Sequence, residues 1–306
     1  MSDRAPAQQR HSYGGQAVME GVMMRGRQVW ALAVRRPDES IHLESHPIRS
    51  IAERYRILRK PGFRGVIALG QAITIGIRAL SISATQASPD EVQLSSRQMA
   101  LSMVLAFGLF IGVFIVAPAI AFRWVGEHLG SSILMNILEG VFRVALFLAY
   151  LVLIGRTKEI KRVFEYHGAE HKTIAAYEHD EPLAPEAVDR YSTLHVRCGT
   201  NFLLIVMILT ILIFALFGNP GIWWRIGSRL VAIPLIAGAA YELLRLGARF
   251  EDSPAMRAVM APGLWLQKIT TQPPDRSQIE VAIASFREML RAEQGREPEP
   301  SPQVAP

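Results

Sequence analysis

Residues 100–122 run without a single charged side chain. A helix needs about 20 apolar residues to cross the roughly 30 Å of hydrocarbon in a bilayer. Lipid offers the backbone no hydrogen bonds, so such a run must be a helix that satisfies itself. Three more apolar runs follow, at 133–154, 202–217 and 228–246. The second is interrupted by Glu139 and Arg143. These two stand four residues apart and read as a structural ion pair inside a helical bundle rather than as a functional polar site. The third run is short but wholly apolar, and the fourth contains Pro234, Gly238, Tyr241 and Glu242. Residues 65–84 are also long enough to span. Gln71, Thr74 and Arg78 would be costly at the bilayer centre, so this stretch reads as a helix in the interface or against the spans. The expected fold is mainly α: a polytopic helical membrane protein with about four transmembrane helices, an interfacial helix and a small cytoplasmic β-hairpin element.

The charges orient these spans. Fourteen Lys and Arg precede the first span, seven lie between 155 and 201, and eight follow from Arg245 onward. The two remaining connections carry only Arg123, and Arg225 with Arg229. The positive-inside rule then predicts a multi-pass protein of the cell membrane, with both termini and the 155–201 loop in the cytoplasm. The net charge of +6 is absorbed by this orientation. Aromatics are sparse in the basic stretch 49–64, so no specific nucleic acid is expected as a partner. The single cysteine, Cys198, excludes an intrachain disulfide.

Taken in order, residues 1–13 are polar and read as disordered. Residues 14–64 form a cytoplasmic glycine-rich and hairpin region. In it Val29–Arg35 and Ile41–Ser45 read as strands around a turn at Pro37–Ser40. The glycine-rich segment 14–26 requires tight turns or close backbone approach. Glu20 and Arg25 could line a site there, or the segment could be a turn leading into a sheet. Residues 65–98 are the interfacial helix and a linker broken at Pro89-Asp90, 99–155 a transmembrane hairpin, 156–201 a cytoplasmic loop, and 202–247 a second hairpin. Residues 248–292 form a cytoplasmic C-terminal region with an amphipathic helix over 276–292, marked by Ile279, Val281, Ile283, Phe286 and Leu290. Residues 293–306 read as a disordered tail.

The chemistry concentrates in the central loop. His167-x-x-Glu170-His171 places two imidazoles and a carboxylate on one helical surface. Two nitrogens can hold a zinc ion while the carboxylate, Glu170, handles a proton as general base. The alternative is a polar helix face whose histidines bond to backbone or acidic neighbours. A zinc site needs a third protein ligand, and the candidates are Glu242, His195, Cys198, Glu178 and His179. Cys198 fits a small buried residue at a helix start better than a nucleophile. Arg197 fits the headgroup level, with a substrate phosphate as its sharper alternative.

Four separated motifs carry a family resemblance. They are Gly-Gly-Gln-Ala-Val-Met-Glu-Gly-Val-Met-Met-Arg at 14–25, Tyr-His-Gly-Ala-Glu-His-Lys at 166–172, Arg-Cys-Gly-Thr at 197–200 and Pro-Gly-Leu-Trp-Leu-Gln-Lys-Ile-Thr-Thr at 262–271. Together they resemble the YqhQ-like family of bacterial membrane proteins, over about residues 13–290. The resemblance implies that the histidine motif is the family hallmark and that the protein is a metal-dependent enzyme; it supplies no substrate.

The resulting expectation is a metal-dependent hydrolase, with zinc as its cofactor, acting at the cytoplasmic membrane face. Its metal ligands would be His167, His171 and either Glu242 or His195. Its partners would be the lipid bilayer, a lipid or membrane-protein substrate, and further copies of the chain. The competing expectation is a non-catalytic scaffold or accessory of membrane-protein assembly or transport, with a structural metal or a histidine network.

Overall fold

The computed structural model describes residues 13–49, 51, 55–88, 96–126, 132–216, 222–250 and 253–295. Of the stretches 1–13 and 293–306 expected to be disordered, residues 1–12 and 296–306 lie outside them, as does the expected break at Pro89-Asp90, whereas Tyr13 packs against Phe286 and Glu293 is the last residue of a helix.

Four strands, β1 (Gly14–Val18), β2 (Gly21–Arg25), β3 (Val29–Arg35) and β4 (Ile41–Pro47), form one antiparallel sheet in the order β1-β2-β3-β4. The sequence disclosed only the β3–β4 hairpin. The glycine-rich segment supplies a second hairpin, with Gly15 opposite Met24 and Met24 opposite Ala31. Gly21 belongs there because a Cβ would collide with the Ala33 carbonyl oxygen of β3.

Ten helices are described. They are α1 (Phe63–Gln86), α2 (Ser96–Ile111), α3 (Ala117–Gly126), α4 (Ser132–Ile154), α5 (Lys158–Glu178), α6 (Pro185–Val188), α7 (Gly199–Ala215), α8 (Ile222–Arg249), α9 (Pro254–Thr270) and α10 (Arg276–Glu293). A π-helical turn, Gly112–Val116, joins α2 to α3. Its Phe114 packs edge-on against Tyr150 of α4, with centroids 5.4 Å apart.

Strand alternation gives the sheet two covered faces. On one, Val22, Met24, Ala31 and Ala33 pack against Tyr166, Ala169 and Ile174 of α5 and Ile279, Ile283 and Phe286 of α10. On the other, Val18, Met23, Trp30, Leu32 and Val34 pack against Ile75 and Ala79 of α1. The expected amphipathic helix is therefore α10, and its apolar stripe covers the sheet. It opens with a capping box in which Asp275 accepts from the Gln278 N–H and the Gln278 side chain accepts from the Asp275 N–H.

Among the described residues, three helices are long and apolar enough to cross a membrane: Phe63–Gln86, Ala100–Phe122 and Ile133–Ile154. This differs from the expected set of about four. Residues 65–84, expected in the interface, meet the criteria for a span because Gln71, Thr74 and Arg78 are outweighed by their apolar neighbours. The C-terminal half of the same helix nevertheless packs on the sheet. The expected spans at 202–217 and 228–246 are helical over 202–215 and 228–246. However, α7 is only 17 residues long, and α8 carries Arg225, Arg229, Glu242 and Arg245 as well as an internal Pro234. The Glu139–Arg143 ion pair forms within α4, with Glu139 buried.

Candidate metal centre

Helix α5 presents His167, Glu170 and His171 toward three other segments at once. Such close packing is possible because residue 168 is glycine: a Cβ there would collide with the carbonyl oxygen of Gln272. The Gln272 N–H in turn donates to the Phe164 carbonyl at 2.9 Å. The segment after α9 is thus laid directly on α5.

Both histidines are oriented through their Nδ1 atoms. His167 Nδ1 lies 2.8 Å from the Thr270 carbonyl oxygen, and His171 Nδ1 is bonded to the Thr193 carbonyl oxygen. A carbonyl only accepts, so each Nδ1 carries the proton and each Nε2 offers a lone pair. The rings lie edge to face with centroids 4.4 Å apart. Burial lowers the pKa of His171, which favours the neutral, ligand-competent form.

Cys198 completes the cluster. It is the N-cap of α7, and its Sγ lies 3.2 Å from His167 Nε2. The Thr200 N–H donates to the sulfur at 3.4 Å and Thr200 Oγ1 lies 3.1 Å away. Ligand atoms of His167, His171 and Cys198 all fall within 4.8 Å of one another. His171 is 2% exposed and Cys198 6%. Two nitrogens and one sulfur within that span could together hold a metal ion.

The loop that delivers Cys198 is clamped by Gln267 of α9, which is fully buried. Its Oε1 accepts from the His195 N–H at 2.8 Å. Its Nε2 donates to the His195 carbonyl at 2.8 Å and to Asn201 Oδ1 at 3.0 Å. Asn201 donates onward to the Val196 carbonyl at 2.6 Å. Gly263 permits this approach, since a Cβ there would collide with Asn201.

The remaining sequence candidates fall in different places. Glu170 is buried beside the cluster, against Gly15 of β1, where any Cβ would clash with its side chain. Burial raises its pKa, while His167, His195 and a backbone hydrogen bond from Gly15 pull the other way. His195 stacks near His171, with centroids 5.6 Å apart, and its Nε2 lies 3.4 Å from Glu178 Oε2. Glu178 also pairs with Arg197. Burial pushes the Glu178 carboxyl up, but His195 and Arg197 outweigh it and hold the group below its ordinary range. Glu242, expected as third ligand, is instead gripped by the Arg64 guanidinium, with Nε to Oε1 at 2.6 Å. Glu20 sits in the β1–β2 turn at φ 51°, held by Arg162 and by the Tyr166 hydroxyl at 3.2 Å. His179, at the end of α5, bonds through Nδ1 to the Ala175 carbonyl at 2.7 Å. Gln267, Thr270, Thr193 and Asn201 were not expected at the site. The sequence signal for Gln267 and Thr270 was their place in the 262–271 motif, which marked the segment without saying what it touches.

Comparison with known proteins agrees with the motifs. Residues 60–292 match a family model described as a protein of unknown function (DUF1385). The chain is 36% identical over 297 residues to the uncharacterized protein YqhQ of Bacillus subtilis (strain 168), covering 92% of this chain and 93% of that one. No solved structure matches. With the match spanning both the apolar helices and the histidine cluster, the chain belongs to this YqhQ-like family of proteins of unknown function.

Proposed function

We propose that the protein is a membrane-embedded metal-dependent hydrolase whose centre is His167, His171 and Cys198, acting at the cytoplasmic face. One observation carries this reading. Backbone carbonyls take both Nδ1 protons, so that both Nε2 atoms converge on one buried sulfur. Metal-ligating histidines are oriented in this way by their outer partners. The ligands would hold a divalent ion, zinc by donor chemistry, and such an ion supplies Lewis acidity to a polarised substrate bond.

Glu170 is the residue that moves a proton. Its buried carboxyl has a raised pKa, which brings a carboxylate closer to the range where it can both accept and return a proton near neutral pH. A backbone hydrogen bond from Gly15 orients it. Gln267 and Asn201 hold the Cys198 loop. A lipid or a membrane-protein segment is the substrate class that fits a centre at the start of an apolar helix.

Elemental analysis of the detergent-purified protein tests the reading. Near-stoichiometric zinc is expected in the parent, with loss in His167→Ala/His171→Ala. Cobalt substitution adds an independent readout: a thiolate charge-transfer band that Cys198→Ser abolishes. A parent that holds neither zinc nor cobalt, purified without chelators, overturns the proposal.

The burial of His171 and Cys198 favours a second reading, a non-catalytic membrane scaffold with a structural metal. Glu170→Gln separates the two. It leaves metal content unchanged in both, and abolishes complementation of a deletion strain only if Glu170 is catalytic.

A further inference from the structure

The seam between α1 and the sheet contains guanidiniums that, among the described residues, meet neutral partners instead of carboxylates: Arg25, Arg36 and Arg78. Arg35, Arg64, Arg162, Arg197, Arg276 and Arg291 each face a carboxylate. Arg25, half-buried at the end of β2, faces none among the described residues. Its Nη2 donates to Gln71 Oε1 of α1 at 2.9 Å. The Gln71 amide nitrogen is itself buried with no hydrogen-bond partner. Across the strand pair from Arg25 stands Trp30, and the Arg78 guanidinium lies 5.7 Å from its ring. Arg78 reaches only an imidazole, His46 Nδ1, at 3.2 Å. Glu44, the β4 carboxylate on this face, is held between His42 and His46, 3.8 and 3.4 Å from their Nε2 atoms.

Among the described residues Arg25, Gln71 and Arg78 therefore offer donors that no carboxylate receives, Glu44 being the acid on this face and held by the two histidines. Burial works against the charge on Arg25, lowering its pKa, with Tyr241 of α8 partly offsetting this. A desolvated cation in such a setting is stabilised by an incoming anion. The side of α1 turned away from the seam is apolar: Ile73 and Ile77 are 53% and 47% exposed. A helix with guanidiniums against one side and apolar side chains exposed on the other suits the boundary where lipid phosphates lie.

We propose that Arg25, Gln71 and Arg78 bind a phosphate group presented at the membrane face of the α1–sheet seam. The inference rests on the membrane reading above and extends it with a substrate class, a phosphate-bearing amphiphile. Met24, the residue before Arg25, pairs with Gly15, and Gly15 abuts Glu170. Arg25 thus faces α1 on one side of the sheet while Gly15 meets Glu170 on the other, so the sheet edge lies between the headgroup and the metal centre. A guanidinium bound through two of its N–H groups matches phosphate geometry, and the Gln71 amide would gain its missing acceptor.

Titration calorimetry on the full-length protein in dodecylmaltoside micelles tests the proposal. The probes are dioctanoylphosphatidylglycerol and, separately, inorganic phosphate. Arg25→Gln is expected to weaken the lipid about tenfold or more, since hydrogen bonds to charged groups are strong. Arg25→Lys should lose less, and added salt should weaken the parent. Gln71→Leu provides a second route should Arg25→Gln fail to fold. Lipid binding without phosphate binding identifies a headgroup site. Competition between the two probes at similar affinity identifies a soluble phosphate ester as the source. A parent that binds neither, or binds the lipid no better than Arg25→Gln and Gln71→Leu do, overturns the site. Zinc content is measured on the same samples, so a metal-free parent that still binds lipid sinks the hydrolase reading alone.

Discussion

Helices α5 and α2 are turned inside out relative to each other. Helix α5 buries Glu170, His171, Lys172 and Thr173 in succession. Each of these has a partner: Lys172 Nζ, for example, donates to Asp189 Oδ1 at 2.7 Å, and Thr173 Oγ1 to the Ala169 carbonyl at 2.8 Å. Helix α2 does the reverse, turning Leu101, Val104, Leu105, Phe107 and Leu109 outward. Both obey one rule, that each side chain matches what surrounds it. For α5 the surroundings are protein, and polar groups survive there only when paired. For α2 an apolar exterior of this kind suits lipid, the environment that the proposed function assigns to it. On that reading, burial in this molecule is judged against two solvents.

The comparison is broken most decisively at the buried end. Cys198→Ala removes the sulfur of the proposed centre. It is expected to cost more metal affinity than the roughly 10–100-fold typical of an outer-shell change, as read by competitive zinc titration. At the exposed end, Leu105→Asp should cost about 3 kcal/mol of membrane insertion, measured by a glycosylation-mapping assay. Were α2 exposed to water instead, the same change would be nearly neutral. Gln267→Ala sharpens the contrast within the centre. It strips a buried clamp of three hydrogen bonds, so a loss of roughly 2–3 kcal/mol is expected in chemical unfolding, together with weaker zinc. Retained stability would mean the Cys198 loop is held by other contacts.

The smallest effect belongs to the cap of α10. Asp275→Ala should cost about 1 kcal/mol. Burial raises the Asp275 pKa, but hydrogen bonds from Ser277 and the Gln278 N–H prevail and hold it below its ordinary value. A carboxylate whose folded pKa is depressed contributes stability above its unfolded value, about 3.9, and loses it as the pH falls through the folded value. The difference between parent and Asp275→Ala in thermal melts should therefore shrink below about pH 4.

Much of this architecture was legible where a single period sufficed. The apolar runs gave the helices around 100–122 and 133–154, and helical spacing gave α10. The β3–β4 hairpin followed from alternation around Pro37–Ser40. The β1–β2 hairpin did not, because its glycines answer to distant groups: Gly15 to Glu170 and Gly21 to the Ala33 carbonyl. The site was half legible for the same reason. His167, Glu170 and His171 lie within one helical turn, so spacing found them. Nothing local says that Arg64 takes Glu242, or that Gln267 holds the loop at His195. Those contacts depend on how α1, α8 and α9 pack, and an isolated periodicity carries no record of that.

The covering of the sheet by α10 has a consequence in time. Strand β3 is finished at Arg35, but the helix that seals Val22, Met24, Ala31 and Ala33 begins at Arg276. Translation at roughly 5–20 residues per second leaves that apolar face waiting for tens of seconds. The carbonyl of Thr270 that orients His167 also arrives late. During synthesis the newborn N-terminal hairpins are therefore an unfinished surface whose apolar face lacks its cover until α10 emerges. A ribosome stalled before α10 should yield a chain that is inserted but protease-sensitive ahead of its first apolar helix.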